Sequence, residues 1–338
     1  MRIVSGIQPT GDLHLGNWLG AIRQWVRLQD EAAATGGEAL YFLADLHAIT
    51  LPIEPARLAA NTREMTAALL ACGIDPERSI LFNQARVPQH AELAWILFCT
   101  ARVGWLNRMT QFKDKTGRNR EGASVGLYAY PVLQAADVLL YNATHVPVGD
   151  DQRQHLELAR DIAEKFNSDR GVALFTLPEP LIGATAARVM SLRDGRAKMS
   201  KSDPSDMSRI NLTDSDDAIA QKVRKARTDA EPLPAELAGL AERPEALNLV
   251  TLMAALDDRT AQQVLGDHAG EGFGRFKPRL ADRLITVLAP IRDRFLHTRE
   301  DADAIDRVLE SGAERARSLA IPTLAAAYAA TGLQAQGR

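Results

Sequence analysis

The chain has 338 residues, 46% hydrophobic and 25% charged, ordinary proportions for a globular protein long enough for two domains. Its 40 Lys and Arg against 43 Asp and Glu give a net charge of −3, a slightly acidic whole that leaves room for local basic patches. Two cysteines without a CxxC pair argue against a disulfide framework or a cysteine metal cluster, and no apolar run reaches the roughly 18 residues of a membrane helix.

The start, Arg2-Ile3-Val4-Ser5-Gly6, reads as a strand rather than a signal peptide, so the expected location is the cytoplasm. A turn from Gly6 to Gly11 follows, and residues 14–30 carry Leu15, Leu19, Ile22 and Val26 on one helical face. Residues 39–44 form a buried-type strand, 57–72 a helix ended by Gly73, and 79–82 a third strand. This alternation predicts an α/β fold with a doubly wound, parallel, Rossmann-like sheet. Further on, 90–103 reads as a helix, 110–126 as a polar loop, 130–141 as a helix, 144–148 as a short strand and 151–166 as a helix. Cys72 and Cys99 fall in apolar helical stretches and read as buried thiols.

After about residue 205 no strand-like run remains. Helices are predicted at 216–227, 245–256, 260–264, 278–297 and 303–319. Pro278 is expected to open its helix, whose period is marked by Leu280, Leu284, Val287, Leu288, Ile291 and Phe295, and Pro290 predicts a kink or break. The organisation expected is an α/β domain, residues 1–205, and an all-helical domain, residues 206–338.

Gly11-Asp12-Leu13-His14-Leu15-Gly16-Asn17 sets a glycine turn and an imidazole at a helix start. Free N–H groups and the positive end of the dipole suit such a start to phosphate, and glycine lets ligand and backbone approach. His14 can donate to an oxygen that gains charge in a transition state. The plainer alternative is a helix cap with a solvated histidine. Lys198-Met199-Ser200-Lys201-Ser202 places two lysines three apart on a loop bounded by Gly195 and Pro204, able to swing onto a polyphosphate; the alternative is a basic surface loop.

Asp137 sits within Ala135-Ala136-Asp137-Val138-Leu139-Leu140, where a carboxylate must be paired. It suits an indole N–H, which only donates; the alternative is a core aspartate satisfied by backbone or arginine. Residues 146–155 read as strand, glycine turn and helix, where an open α/β sheet places its ligand. Asp151 and His155 are four apart, a metal-pair spacing, but no third ligand accompanies them and a helix cap explains Asp151. Arg102, Arg108, Lys113, Lys115, Arg118 and Arg120 face only Asp114 in a run whose plainer reading is a solvated loop.

Together the two motifs resemble the HIGH and KMSKS signatures of class I aminoacyl-tRNA synthetases, the second letter for letter. The segment Tyr128-Ala129-Tyr130-Pro131-Val132-Leu133-Gln134-Ala135-Ala136-Asp137 is similar to that of the tryptophan-specific family, and the resemblance runs from Ile3 to about Asp229, then more weakly through Asn248-Leu249 and 276–295. It implies activation of L-tryptophan by ATP to an adenylate, then transfer to tRNA, with Mg2+ held mainly by the ATP phosphates. It implies catalytic roles for His14, Lys115, Lys198 and Lys201. On the ATP side it implies Gln8, Pro9, Thr10, Gly16, Asn17, Gly149, Asp150, Asp151, Val189, Met199, Ser200 and Ser202 as well as the two motif lysines. For tryptophan it implies Val4, Gly6, Tyr130, Gln134, Asp137, Val146, Val148 and Gln152, with Asp137 reading the indole nitrogen. His47, in the recurrent string Ala44-Asp45-Leu46-His47-Ala48, is assigned no chemistry.

The resemblance further implies a homodimer, with tRNA bridging the subunits and the helical domain reading the anticodon. Basic residues there include Lys222, Arg224, Lys225 and Arg227. Val4 departs from a common bulky aromatic, Gln134 from a common methionine and Asp150 from a common glutamate. Rival readings are a tyrosine-specific synthetase, a silent paralogue binding tRNA or tryptophan, and a nucleotidyltransferase. Against them stand the Leu-Gln-Ala-Ala-Asp string, the intact His14, Lys198 and Lys201, and the helical half.

Overall fold

The computed structural model describes all residues except Asp12, 110–121, 150–151, 182–188, Ser202 and 335–338. Its centre is a sheet of five parallel strands in the order β3-β2-β1-β4-β5. The strands are β1 (Arg2–Ile7), β2 (Glu38–Leu43), β3 (Ile80–Asn83), β4 (His145–Pro147) and β5 (Glu179–Leu181). Covered on both faces, the inner strands read as continuous apolar runs, as in Ala39-Leu40-Tyr41-Phe42-Leu43. The edge strand β5 was not foreseen, because Pro178 and Pro180 interrupt any strand pattern; at an edge, the missing proline N–H costs no ladder bond.

Parallel neighbours need crossovers, and helices supply them. Between β1 and β2 the chain runs through α1 (Leu15–Asn17), a π-turn at Trp18–Ile22 and α2 (Arg23–Ala34). Next come α3 (Asp45–Ala48) and α4 (Pro55–Ala71), then α5 (Gln89–Phe98), α6 (Val103–Leu106) and α7 (Val125–Leu139), and after β4, α8 (Arg153–Arg170). Strand order reverses between β1 and β4. The crevice beyond their C-terminal ends, at Ile7 and Pro147, is where such sheets bind ligands.

The second half is helical among the described residues: α9 (Asp216–Arg224), α10 (Pro244–Leu256), α11 (Ala261–His268), α12 (Phe273–Thr298) and α13 (Ala302–Thr331). Packing is continuous across residue 205. One core joins Ile3, Trp25 and Leu69 to Leu249, Phe276 and Leu284; the other joins Phe42, Phe82 and Phe166 to Ala316 and Ala320. Helix α13 returns to seal the β3 edge. At Gly312 it lies so close that a Cβ would stand 1.8 Å from the Leu81 carbonyl oxygen, so only glycine admits this contact.

Two expectations are corrected. Helix α12 starts at Phe273, ahead of Pro278, and continues through Pro290 to Thr298. Its buried face, with Phe276, Leu280, Leu284, Leu288 and Ile291, outweighs the backbone bonds that two prolines remove. Cys72 is buried, but Cys99 is exposed, because it caps the C-terminal end of α5 beyond the packed face.

Candidate active site

His14 caps the first helix after β1. Its Nδ1 accepts the Gly16 N–H at 3.1 Å, while the backbone N–H of His14 donates to Asn17 Oδ1 at 3.2 Å. A ring nitrogen that accepts carries no proton, so the neutral imidazole holds its proton on Nε2 as a donor. Burial, followed by the charges of Lys201, Arg209 and Lys198, lowers the His14 pKa to about 4, so the ring is neutral at neutral pH. A Cβ at Gly16 would stand 3.0 Å from this ring.

The turn is braced from across the chain. The Leu15 N–H donates to the Ile210 carbonyl at 2.8 Å and the Leu212 N–H to Leu13 at 3.0 Å, pairing His14 with Asn211. The lysine loop leaves a hairpin in which Met190 bridges Lys198. The Ser191 N–H donates to Ala197 at 2.8 Å and the Met199 N–H to Val189 at 3.0 Å. Asn248 on α10 clamps the hairpin: Oδ1 accepts the Met190 N–H at 3.0 Å, and Nδ2 donates to the Met190 and Ser191 carbonyls at 3.1 and 3.3 Å. Met199 is buried and anchors the loop, while Lys198 stays exposed. Lys201 Nζ donates to the Thr10 carbonyl at 2.6 Å and to Gly11 at 3.2 Å. Thus Lys201 comes together with Thr10 and His14, which lie far earlier in the chain.

Helix α7 carries Tyr130, Gln134 and Asp137 on one face, and Tyr141 follows just past its C-terminal cap at Leu140. Tyr130 Oη lies 3.1 Å from His155 Nε2 of α8. Gln134 Nε2 donates to Gln152 Oε1 at 3.2 Å, which gives this departure from methionine a polar partner. Gly6 is exposed at the end of β1, and its missing Cβ leaves room for the Phe42 ring; Val4 and Val146 are buried and Val148 partly so. Gln8 and Thr10 are exposed beyond β1, Pro9 is buried, and the Gly149 carbonyl accepts the Gln152 N–H at 3.0 Å.

Asp137 is 1% exposed and meets three side chains: His47 Nε2 at 2.8 Å, His90 Nδ1 at 2.6 Å and Gln84 Nε2 at 2.5 Å. His90 Nε2 lies 2.8 Å from Tyr141 Oη. Burial alone would raise the carboxyl; His47 and His90 outweigh it and hold the pKa at about 2, so Asp137 is ionised. The partners are histidines and an amide, neither backbone nor arginine. Sequence reasoning gave His47 no chemistry and passed over Gln84 and His90. The signal was position: His47 and Gln84 each lie just beyond a strand's C-terminal end.

Lys115, Asp150, Asp151 and Ser202 lie outside the described residues, as do Lys113, Arg118 and Arg120 of the basic run. Lys222 is corrected: its Nζ is buried between Asp206 at 2.7 Å and Asp214 at 2.6 Å, tying the segment after the lysine loop to α9. Arg224, Lys225 and Arg227 are exposed. They join Arg193 and Arg196 of the hairpin in one basic face, held by Arg193 Nη1 on the Lys225 carbonyl at 3.3 Å and the Arg227 N–H on Leu192 at 2.8 Å.

A sheet ordered 3-2-1-4-5, a capped helix start at its crevice and a lysine loop folded onto that start define a class I synthetase site. The chain belongs to the tRNA synthetases class I (W and Y), whose family model matches residues 1–289. Within that class its relatives include tryptophan enzymes of high identity. The tryptophan–tRNA ligase of Caulobacter vibrioides is 58% identical over 325 residues, 96% of this chain and 93% of that one. The tryptophan–tRNA ligase of Agrobacterium fabrum is 53% identical over 95% of each chain. Among solved structures, tryptophanyl-tRNA synthetase from Campylobacter jejuni, complexed with ADP and tryptophan, superposes with a TM-score of 0.81 at 34% identity over 98% of this chain and all of that one.

Proposed function

We infer that the chain attaches L-tryptophan to its tRNA through a tryptophanyl-adenylate, using ATP. What supports this reading is the His14 helix start with the Lys201 loop docked beside it and the buried Asp137 carboxylate held by His47 and Gln84 just past β2 and β3, in a chain whose relatives at 53 and 58% identity are tryptophan–tRNA ligases.

The tryptophan carboxylate attacks the α-phosphorus of ATP, forming a P–O bond as the bond to pyrophosphate breaks. The His14 Nε2–H donates to a phosphate oxygen, and Lys198 and Lys201 balance charge gathering on the leaving group. Lys115, Asp150, Asp151 and Ser202 are assigned to the same side by family resemblance. The described groups that face the phosphates are ammonium and imidazole, which suits a Mg2+ ion carried on the phosphate oxygens and neutralising part of their charge. In the second step a hydroxyl of the terminal tRNA ribose attacks the acyl carbon and AMP leaves. No covalent enzyme intermediate is needed; rate comes from positioning and electrostatics. Asp137 accepts the indole N–H, with Tyr130 and Gln152 toward the amino group.

Residues 206–338 are proposed to read the anticodon, and the basic face of Arg193, Arg196, Arg224, Lys225 and Arg227 to hold the RNA backbone. A homodimer is proposed from exposed apolar side chains: Trp95 at 69%, Val103 at 67% and Val125 at 81%. The α7 start and α6 are joined by Tyr128 Oη donating to the Val103 carbonyl at 3.3 Å. The proposed location is the cytoplasm; no described helix is long and apolar enough to cross a membrane.

Charging assays test the reading. Labelled tryptophan should load onto a tryptophan tRNA transcript while tyrosine does not load onto a tyrosine tRNA; tyrosine charging, or none, would overturn it.

A further inference from the structure

Asp137 is surrounded more completely than a lone specificity carboxylate requires. Oδ1 accepts from Gln84 Nε2 and His90 Nδ1, which fills its two lone-pair directions, and Oδ2 accepts from His47 Nε2. One acceptor direction remains, on Oδ2. His90 is 0% exposed, its ring 5.8 Å from that of Phe42 and 6.0 Å from that of Phe82, centre to centre. An ionised carboxylate can only accept, so His90 Nδ1 carries a proton. Tyr141 Oη lies 2.8 Å from Nε2 and, as a hydroxyl, can donate to a ring whose single proton sits on Nδ1. Tyr141 is itself fully buried, and burial followed by the charge of Asp137 holds its hydroxyl protonated. A directed chain results: Tyr141 Oη–H to His90 Nε2, then His90 Nδ1–H to Asp137 Oδ1.

We propose that His90 is a positioning residue for indole recognition: with its tautomer set by Tyr141, it fixes the Asp137 carboxylate so that the remaining acceptor direction of Oδ2 is kept for the substrate N–H. This rests on the reading of Asp137 as the group that meets the indole nitrogen. The consequence concerns selectivity rather than rate. With His90 in place, a substrate lacking the N–H leaves a buried charge one bond short and is rejected. Without the Nδ1 donor the carboxylate can turn, and the distinction weakens.

The test compares kcat/KM in pyrophosphate exchange for tryptophan and for 3-(benzothiophen-3-yl)alanine, in which sulfur replaces the indole N–H. His90→Asn keeps an amide donor near the Nδ1 position; His90→Gln places its amide near Nε2 and loses the donor to Asp137. The ratio should fall roughly 10-fold in His90→Gln, stay within about 3-fold of wild type in His90→Asn, and fall about 3-fold in Tyr141→Phe, with KM for ATP unchanged throughout. Equal losses for both substrates in His90→Gln would show a merely structural role and overturn the proposal. Loss in His90→Asn as great as in His90→Gln would do the same. Should His90→Gln not fold, an unchanged ratio in Tyr141→Phe overturns the relay by itself. Asp137→Asn separates the two readings. If it collapses the ratio while His90→Gln leaves it intact, only the role of His90 falls; if it leaves the ratio intact, Asp137 is not the indole reader and the proposal falls with it.

Discussion

Lys201 Nζ lies 2.6 Å from the carbonyl oxygen of Thr10, joining two residues 191 positions apart. The contact docks the lysine loop on the turn that leads to His14. A phosphate oxygen is a stronger partner for an ammonium than a backbone carbonyl, which is consistent with the proposed role of this lysine toward ATP.

Loss of the loop cations should therefore separate chemistry from binding. Lys198→Ala is expected to slow tryptophan-dependent pyrophosphate exchange roughly 100-fold or more, because its charge acts on the leaving group. Tryptophan affinity by calorimetry should stay within about twofold. Equal loss of both would contradict the phosphate role.

His14 gives a pH signature. Its folded pKa of about 4 lies below the ordinary 6.5, so between these values the unfolded chain holds more protons. Stability linked to His14 is fully present above about pH 6.5 and is lost as pH falls toward 4. Thermal melts of wild type and His14→Gln should converge over that interval as the wild type loses its extra pH-dependent part. Parallel curves would contradict the buried, neutral imidazole.

Much of this site was legible in the sequence because its parts are local. The glycine turn with His14, and the loop lysines, announce themselves within a few residues. The Asp137 environment was not, since His47, Gln84 and His90 meet the carboxylate only after β2, β3 and α5 are stacked beside α7. The helical half was legible as helices, but its packing was not: α13 returns to the β3 edge, and Lys222 looked like a surface cation. Periodicity shows which face a helix buries, not which distant aspartates wait for its lysine. The strand β5 was hidden by Pro178 and Pro180, which interrupt a strand pattern and are tolerated at a sheet edge.

Lys222 and Lys225 make a contrasting pair. Lys222→Met removes the buried partner of Asp214 and should destabilise the fold by about 3 kcal/mol in chemical denaturation. Lys225→Ala should leave stability nearly unchanged, weaken tRNA binding and lower the magnitude of its salt slope by about 1. The reverse pattern would remove the basic face from the RNA surface.

Trp95 tests the assembly. It is 69% exposed on α5, and Trp95→Asp should halve the mass of the proposed wild-type dimer in light scattering while the far-ultraviolet spectrum keeps its helical signal. A wild-type chain that is monomeric at micromolar concentration would contradict the proposed interface.

The most direct test is ATP–pyrophosphate exchange run separately with tryptophan, tyrosine and phenylalanine. Exchange should occur with tryptophan and fall to background with the other two, because the role proposed for Asp137 is that of acceptor for an indole N–H. Exchange with tyrosine at a comparable rate, or with none of the three, would contradict the account.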